Sequence, residues 1–279
     1  MDTPNPQFVV SSLQNPRIKE VIRLRRRRAR DATGLLLVEG YRETLRAVEN
    51  AHPLQTLFVC PSLYQGENEP DLVRRASEAG VAVVECTESV FCKMAYRERP
   101  EGLLAVGDRV GRALDDIELS ANPLLVVAES IEKPGNLGSI LRSVDAAGAD
   151  AMLVCDPVTD LNNPNTVRAS IGTIFCVPVA QAAAAAALSW LQDRALRIVV
   201  ASPSAKAEYT DIDMTHGTAI VVGAEQVGLS ATWLQASDAV AVRIPMRGRI
   251  DSLNVASAAT LLLYEAARQR NKRILAEQK

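Results

Sequence analysis

The sequence predicts an α/β protein built in two parts, and three observations support this. Short apolar runs rich in valine, isoleucine and leucine alternate with helical segments along most of the chain, as in layered α/β structures. The 279 residues suffice for one large domain or two ordinary ones, and 48% apolar and 23% charged residues are ordinary for a globular protein. A more polar stretch beginning at residue 108 interrupts the alternation and is the best candidate linker.

The first hundred residues predict a small α/β sandwich. A basic helix comes first, and apolar strands then alternate with helices. The predicted strands are residues 34–40, 54–60, 81–86 and 102–106, and the predicted helices are 41–50, 71–79 and 88–96. We therefore expect a domain over residues 1–107, followed by a linker over 108–121.

The remainder, residues 122–279, predicts a second domain around a mostly parallel sheet. Continuous apolar strands separated by helices indicate a sheet that is covered on both faces. The predicted strands are 124–128, 151–155, 175–179, 197–201, 218–222 and 239–244, and the predicted helices are 137–147, 164–170, 182–194, 231–236 and 252–273. The alanine run 182–187 favours a helix surface with strong helical propensity.

Several classes of protein are disfavoured by composition and by missing motifs. The five cysteines are scattered, and the two histidines, His52 and His216, lie apart in short polar links, so we expect neither a metal site nor a Ser-His-Asp triad. The sequence contains no GxGxxG and no P-loop, which disfavours dinucleotide and nucleoside triphosphate enzymes. No apolar run approaches a membrane span of roughly 20 residues, and no signal-peptide pattern is present, so a cytoplasmic protein without membrane contact is expected.

A cluster of arginines near the amino terminus stands out although the net charge is only −2. Nearby acids are few, whereas an ordinary solvated helix face intersperses acids for pairing. The cluster therefore favours an electrostatic contact with a polyanion over a solvated face. The candidate RNA-binding residues here are Arg23, Arg25, Arg26, Arg27 and Arg28.

Three polar, glycine-bearing loops follow predicted strands and lead into helices. They are residues 134–142, 222–230 and 244–257. Backbone donors at a helix start, beside polar side chains, suit a ligand with charge and hydrogen-bonding groups. Three such loops on one sheet predict a binding site.

Together, the three loops resemble the SpoU (TrmH-like) branch of the SPOUT RNA methyltransferases. The first resembles the family motif N-x-G-x-x-x-R, the second G-x-E-x-x-G and the third I-P-M…S-L-N-V-x-x-A, in that order and with the family's spacing. Residues 167–172 also match a lesser family pattern, and the first hundred residues look like the substrate-binding domain of ribosomal protein L30e type that many members carry.

The resemblance implies an S-adenosylmethionine-dependent enzyme that methylates a ribose 2′-hydroxyl in RNA. It further implies a C-terminal trefoil knot, a homodimer formed through the C-terminal domain, and large-subunit ribosomal RNA as the partner. Transfer RNA remains an alternative substrate. A non-catalytic RNA-binding or ribosome-assembly protein on the same scaffold is a second class of function.

The resemblance also assigns residues. The implied catalytic residues are Arg142, Asn136, Glu225, Ser252 and Asn254. The implied cofactor-binding residues are Gly223, Ile244, Leu253, Met246, Ala201 and Ser202. Arg247 and Arg249 add positive charge to the third loop, for RNA phosphates. Because guanidinium stays protonated in proteins, we expect Arg142 to hold a phosphate and stabilise a developing alkoxide rather than act as a base.

Structural roles compete with several of these assignments. Asn136 is equally compatible with a helix N-cap, Glu225 with a loop carboxylate that caps backbone amides, and either Ser252 or Asn254 with an N-cap. Two positions depart from the family pattern. Glu129 stands where aspartate is common and Lys133 where an acid or amide is common, which puts substrate details in doubt more than catalysis.

Overall fold

The structure, a computed structural model, describes residues 9–277 and divides them into two compact units. The first unit contains the chain up to Val110 together with Asp160–Cys176, and the second contains Gly111–Thr159 and the chain from Val177 onward. The outer ends of the predicted domains, residues 1–8 and 278–279, lie outside the described residues. The predicted domain bounds stay a proposal, to which the structure adds that residues 160–176 fold with the first unit.

Helices and strands alternate along both units, as the apolar periodicity predicts. The helices are α1 (Pro16–Arg23), α2 (Arg27–Thr33), α3 (Tyr41–Glu49), α4 (Glu69–Glu78), α5 (Glu88–Met94), α6 (Pro134–Ala146), α7 (Pro164–Ser170), α8 (Ala184–Asp193), α9 (Ala231–Leu234) and α10 (Val255–Glu277). The strands are β1 (Leu35–Glu39), β2 (Leu54–Val59), β3 (Ala82–Glu85), β4 (Leu103–Asp108), β5 (Leu124–Glu129), β6 (Ala151–Cys155), β7 (Val179–Ala182), β8 (Arg197–Ala201), β9 (Ala207–Glu208), β10 (Thr218–Val222) and β11 (Ala239–Arg243). No helix among these residues is long and apolar enough to cross a membrane.

The first unit is built on a mixed four-stranded sheet in the order β1-β4-β2-β3. β4 runs antiparallel to both of its neighbours, and β2 and β3 are parallel. β1 is buried along its whole length because apolar clusters cover both faces of the sheet. Alternate side chains of a strand point to opposite faces, so a strand buried on both sides shows the continuous apolar run seen in the sequence.

The basic amino-terminal helix is in fact two helices. α1 ends at Arg23 and α2 begins at Arg27, with a turn between them. In that turn the Arg25 guanidinium donates hydrogen bonds of 2.8 Å to the carbonyls of Lys93 and Met94, where α5 ends. Since the last carbonyls of a helix lack partners within the helix, Arg25 stabilises the end of α5.

The second unit contains the predicted parallel sheet, which has seven strands in the order β7-β6-β5-β10-β8-β11-β9. All of its strand pairs are parallel, and its apolar core is continuous from Leu125 to Trp233. The loops after β5, β8, β10 and β11 therefore leave the sheet at one edge, where ligands of open α/β sheets bind. The predicted α/β fold is confirmed, while the trefoil knot and the L30e likeness stay predictions.

Two local predictions are wrong. The strand expected at 175–179 begins only at Val179, because Thr173–Phe175 form a 3₁₀ turn and Pro178 has no N–H to donate to a ladder. The alanine run is not simply a helix surface, since Ala184 and Ala187 are buried in the core. Small side chains let α8 pack closely on the sheet, which propensity alone does not reveal.

Candidate active site

A cavity of about 460 Å³ lies at the carboxyl edge of the parallel sheet, and we call it the second-unit cavity. Strand ends and the loops after β8, β10 and β11 form its walls. All six residues proposed for the cofactor line it: Ala201, Ser202, Gly223, Ile244, Met246 and Leu253. These residues are up to 52 positions apart in sequence, and the parallel topology brings them together.

Gly223 allows the loop after β10 to fold tightly against itself. A Cβ at this position would lie 2.5 Å from both the carbonyl carbon and the carbonyl oxygen of Gly228. Gly228 itself adopts a positive φ of 70°, and its N–H donates to the carbonyl of Ala224 at 2.9 Å. Because no side chain intervenes at Gly223, the backbone of this loop forms part of the cavity wall.

A polar cluster joins the beginnings of two helices to the loop after β10. The Asn136 amide nitrogen donates to Glu225 Oε1, and the Asn254 amide nitrogen lies 3.1 Å from Asn136 Oδ1 and 3.2 Å from Glu225 Oε1. Lys133 Nζ contacts Glu225 Oε2 at 2.7 Å, and this contact raises the pKa of Lys133. All three predicted loops thus meet through side-chain hydrogen bonds.

The competing structural roles are now resolved for two asparagines. Asn254 does cap a helix, since its Oδ1 accepts from the Ala256 N–H at 3.0 Å at the start of α10, and it joins the polar cluster as well. Asn136 is not an N-cap, because α6 begins at Pro134 and the cap position is Lys133. Its side chain is therefore free to bond across to Glu225.

The remaining predicted catalytic residues are exposed. Ser252 lines the second-unit cavity, and its hydroxyl is 3.4 Å from Asp251 Oδ1. Arg142 lies on α6, and within residues 9–277 its guanidinium has neither an ion pair nor a hydrogen bond. Arg247 and Arg249 are exposed on the loop before α10. An exposed guanidinium without a protein partner is available to an anionic ligand.

The arginine cluster near the amino terminus divides into bonded and exposed members. Arg25 is held by backbone carbonyls, whereas Arg27 makes a 3.6 Å contact with Asp31, and Arg23, Arg26 and Arg28 are exposed. Arg30, the next arginine after the cluster, is buried and bonded to Asp160 at 2.6 Å. Part of this positive charge therefore stabilises the fold.

Sequence reasoning missed the structural role of Glu129. This buried carboxylate at the end of β5 accepts from the Ser230 N–H at 2.7 Å, the Ser230 hydroxyl at 2.6 Å and the Trp233 indole N–H at 3.1 Å. It ties the start of α9 to the sheet directly after the loop that holds Glu225. The sequence does show an acid at the end of an apolar strand. From the sequence alone, this acid is only a departure from the family pattern.

Comparison with known proteins agrees with this geometry. Residues 123–264 match the SpoU rRNA Methylase family, and residues 15–105 match the MRM3-like substrate binding domain. A 23S rRNA (uridine(2479)-2′-O)-methyltransferase of Streptomyces viridochromogenes is 32% identical over 256 residues, covering 88% of this chain and 86% of that protein.

Solved structures show the same similarity in three dimensions. The AdoMet-bound rRNA methyltransferase from Sinorhizobium meliloti has a TM-score of 0.84 at 30% identity, covering 94% of this chain and 97% of that one. A crystal structure of an RNA 2′-O ribose methyltransferase has a TM-score of 0.81 at 40% identity, covering 95% of this chain and 100% of that one. The similarity therefore extends over both units.

Proposed function

This chain belongs to the SpoU rRNA methylase family, and we propose that it methylates a ribose 2′-hydroxyl in ribosomal RNA with S-adenosylmethionine as the donor. The observation that carries the proposal is the meeting of three loops at one edge of the parallel sheet. There a cavity lined by the six proposed cofactor residues lies beside the cluster of Asn136, Glu225 and Asn254. The relatives that this chain matches along most of its length bear names of the same chemistry.

The second-unit cavity fits the donor. Its volume lies within the roughly 300–1,000 Å³ of small-molecule sites. Ile244, Met246 and Leu253 supply apolar surface for the adenosine and the methionine chain, and the loop at Gly223 supplies backbone groups. When bound, S-adenosylmethionine supplies an electrophilic methyl group on a positively charged sulfur. These residues hold it without forming covalent bonds to it, so positioning is their contribution.

Arg142 acts on the acceptor side. Its guanidinium cannot serve as a base, because it stays protonated in proteins. It can, however, form two parallel hydrogen bonds to a phosphate beside the target ribose and stabilise negative charge that develops on the 2′-oxygen. The proton then passes to a phosphate oxygen or to water. Its exposure and its freedom from partners among the described side chains suit this role.

The polar cluster positions the loops around the acceptor. Glu225 accepts from the amides of both Asn136 and Asn254, which fixes the first turn of α6 relative to the start of α10. Arg142 follows Asn136 on the same helix, so its backbone is oriented by this contact. Ser252, on the cavity lining, completes the polar side of the site.

The proposal extends to the assembly and the location of the protein. Leu261 and Tyr264 on α10 are 40% and 51% exposed, and residues three apart on a helix share a face. Such an apolar face favours a homodimer formed through the second unit. Ribosomal RNA as the substrate places the reaction in the cytoplasm.

The proposed function is tested by mapping ribose methylation on 23S ribosomal RNA incubated with the protein and S-adenosylmethionine. We expect one new 2′-O-methyl group, and its absence with the wild-type chain would contradict the proposal. Arg142→Ala should lower kcat by at least about 100-fold, the usual effect of removing one donor to a developing oxyanion. Cofactor affinity should not change, because Arg142 is not among the residues that line the cavity.

Two lysine variants separate charge from geometry. Arg142→Lys keeps the charge and loses the paired donors, so turnover should remain low; near-normal turnover would exclude the bidentate role. The matched control is Arg197→Lys, an exposed arginine at the amino end of β8, on the opposite edge of the sheet. It should behave like the wild type.

A further inference from the structure

The first unit contains a cleft of about 1220 Å³, which we call the first-unit cleft. It is lined by the start of α3, the loop before α4, residues 96–101 after α5, and α7. Its volume exceeds the roughly 1,000 Å³ upper range of small-molecule sites. Two of its lining residues, Arg168 and Ile171, lie outside the 15–105 match to a substrate-binding domain but fold in the same unit.

The floor of the cleft is held by a bonded network around Arg97. The Arg97 guanidinium donates to the Glu39 carbonyl at 3.0 Å, to Glu43 Oε1 at 2.7 Å and to the Glu101 carboxylate. Glu39 in turn accepts from the Tyr96 N–H at 2.7 Å. A Cβ on Gly40, whose φ is 113°, would come within 2.6 Å of the Arg97 guanidinium, so only glycine permits this approach. The loop at 96–97 is therefore fixed in position.

Three of the four acids that line the cleft are bonded within the protein. Glu43 and Glu101 pair with Arg97, and Glu69 Oε1 accepts the N–H groups of Gln65 and Gly66 at 3.0 and 2.9 Å. Glu98 is exposed and, within the described part of the chain, unpaired. The acids that remain to repel an anion are thus few.

Three exposed arginines line the same cleft, and among residues 9–277 they have no ion pair or side-chain hydrogen bond. They are Arg42, Arg99 and Arg168. Glu69 also lacks an ion pair but is buried, so these exposed guanidinium groups face a single exposed and unpaired acid, Glu98, among the described lining residues. Such groups attract phosphates. Each of these guanidinium groups can contact a ligand without giving up a bond to the protein.

Two tyrosine rings lie among these cations. Tyr41 and Tyr96 line the cleft, and Tyr96 is 38% exposed. The Tyr96 hydroxyl accepts from the Asn165 amide at 3.0 Å, and the Tyr96 backbone N–H donates to Glu39, so both the hydroxyl and the backbone of this residue are held. Aromatic faces interleaved with cations are the means by which proteins bind unpaired nucleotides, since bases stack on rings while phosphates meet arginines.

From this arrangement we propose that the first-unit cleft binds an unpaired, single-stranded segment of the RNA substrate. Arg42, Arg99 and Arg168 contact its phosphates, and Tyr96 stacks on a base. The inference rests on the proposed function for the identity of the polymer as RNA. Contacts that tolerate any RNA sequence are thereby assigned to this cleft and not to the arginine cluster at residues 23–28. In that cluster, Arg25 is already bonded to the end of α5.

The test measures RNA binding by fluorescence anisotropy, without cofactor, using an end-labelled unstructured 12-nucleotide RNA and the same sequence as a duplex. Arg42→Ala/Arg99→Ala should weaken binding of the single strand about tenfold or more. It should also reduce the slope of log affinity against log salt by about 1.4, since each phosphate contact contributes about 0.7 for single strands. Tyr96→Ala should weaken binding about fivefold or more through lost stacking, without changing that slope.

Two double variants serve as controls. Arg74→Ala/Arg75→Ala removes the same charge from α4 of the same unit, outside the cleft lining, and should bind like the wild type. Arg23→Ala/Arg26→Ala removes two exposed members of the arginine cluster and should weaken binding less than the cleft variant. Circular dichroism checks that each variant is folded.

The outcomes separate this inference from the proposed function. If the wild type methylates RNA and the cleft variant binds the single strand normally, the cleft inference is overturned and the proposed function stands. Equal weakening by the control at Arg74 and Arg75, or a duplex bound as tightly as the single strand, also overturns it. If the wild type neither binds S-adenosylmethionine in calorimetry nor methylates RNA, the proposed function fails, whatever the cleft binds. Selective weakening by the cleft variant, with unchanged cofactor affinity, supports the inference.

Discussion

The second-unit cavity and the first-unit cleft differ in size and in the chemistry of their walls. The cavity, about 460 Å³, is formed by strand ends, apolar side chains and the glycine-bearing loop at Gly223. The cleft, about 1220 Å³, is lined by arginines, glutamates and tyrosines on helices and on loops. Under the two proposals, the cavity binds a small ligand with closely approaching backbone, and the cleft binds a polymer with spaced charges and rings.

Both regions nevertheless follow one rule in their use of charge. In each, a bonded polar network holds the loops in place, around Glu225 in the second unit and around Arg97 in the first. Beside each network stand guanidinium groups without partners in the described chain, Arg142 in one case and Arg42 and Arg99 in the other. In both proposals, the bonded charges hold the loops of the site in place and the unbonded charges contact the ligand.

Gly223→Ala is expected to have the largest effect among the variants that test the difference between the cavity and the cleft. The new methyl group would lie 2.5 Å from the Gly228 backbone, so the loop must shift and the cavity wall with it. We expect S-adenosylmethionine affinity, measured by calorimetry, to fall up to about 100-fold, because a strained backbone costs about 1–3 kcal/mol. RNA binding by the first-unit cleft should persist.

Gly135→Ala is the matched control, since a Cβ there meets no atom within 4 Å. It should leave cofactor affinity unchanged. Normal affinity in Gly223→Ala would contradict the assignment of this cavity to the methyl donor and remove the contrast between the two regions.

A smaller effect is expected from Glu225→Ala, which breaks the polar cluster without touching the cleft. Loss of the shared acceptor releases Asn136 and Asn254, and misplacement by about 1 Å lowers rates by up to about 100-fold. We expect kcat to fall between about 10- and 100-fold, with RNA affinity unchanged. Glu225→Gln keeps one oxygen acceptor and loses only the exposed contact with Lys133, so it should retain most of the activity. Equal loss in both variants would show that the charge, rather than the hydrogen bonds, is required.

The smallest effect concerns stability against pH, which should run in opposite directions in the two units. Burial raises the pKa of Glu39 and Glu43 beneath the cleft, so the folded state holds extra protons above pH 4.5 and stability is lost as the pH rises through that window. In the second unit, a hydrogen bond from Arg268 lowers the pKa of Glu265. Its contribution is present above pH 4.5 and is lost as the pH falls through the lowered pKa.

Thermal unfolding of Glu43→Gln and Glu265→Gln between pH 3 and pH 7 checks these signs. The first variant should lose less stability as the pH rises, and the second should lose less as the pH falls, each with a change in Tm of about 2 °C. A Glu43→Gln variant whose pH profile matches the wild type would show that the cleft floor does not titrate as a buried carboxylate.

Much of the second unit could be predicted because its signals are local. β6, β8 and β10 have the predicted bounds, since an apolar run between polar turns marks a buried parallel strand. The family motifs likewise pointed to Gly223, Ile244 and Leu253, which the structure places around one cavity. β7 was misplaced because the short apolar segment before it favoured a strand, whereas a 3₁₀ turn and Pro178 decide the local geometry.

The first-unit cleft could not be predicted, because its cations are scattered. Arg42, Arg99 and Arg168 are far apart in sequence, and none belongs to the dense arginine cluster that drew attention. Conversely, Arg25 lies in that cluster and Arg30 lies two residues beyond it, and both are bonded within the fold. Net charge along a sequence does not show which guanidinium groups the fold will neutralise.

The sequence by itself determined the alternation of strands and helices, the parallel sheet and the three loops to which we assign the chemistry. These depend on side-chain periodicity and on short motifs, whose physical causes act over a few residues. Only the tertiary structure decided that Glu225 joins Asn136 to Asn254, that Glu129 anchors Ser230, and that residues 160–176 fold with the first unit. Those outcomes depend on contacts between residues distant in sequence, which form only when the sheet order brings their loops to one edge.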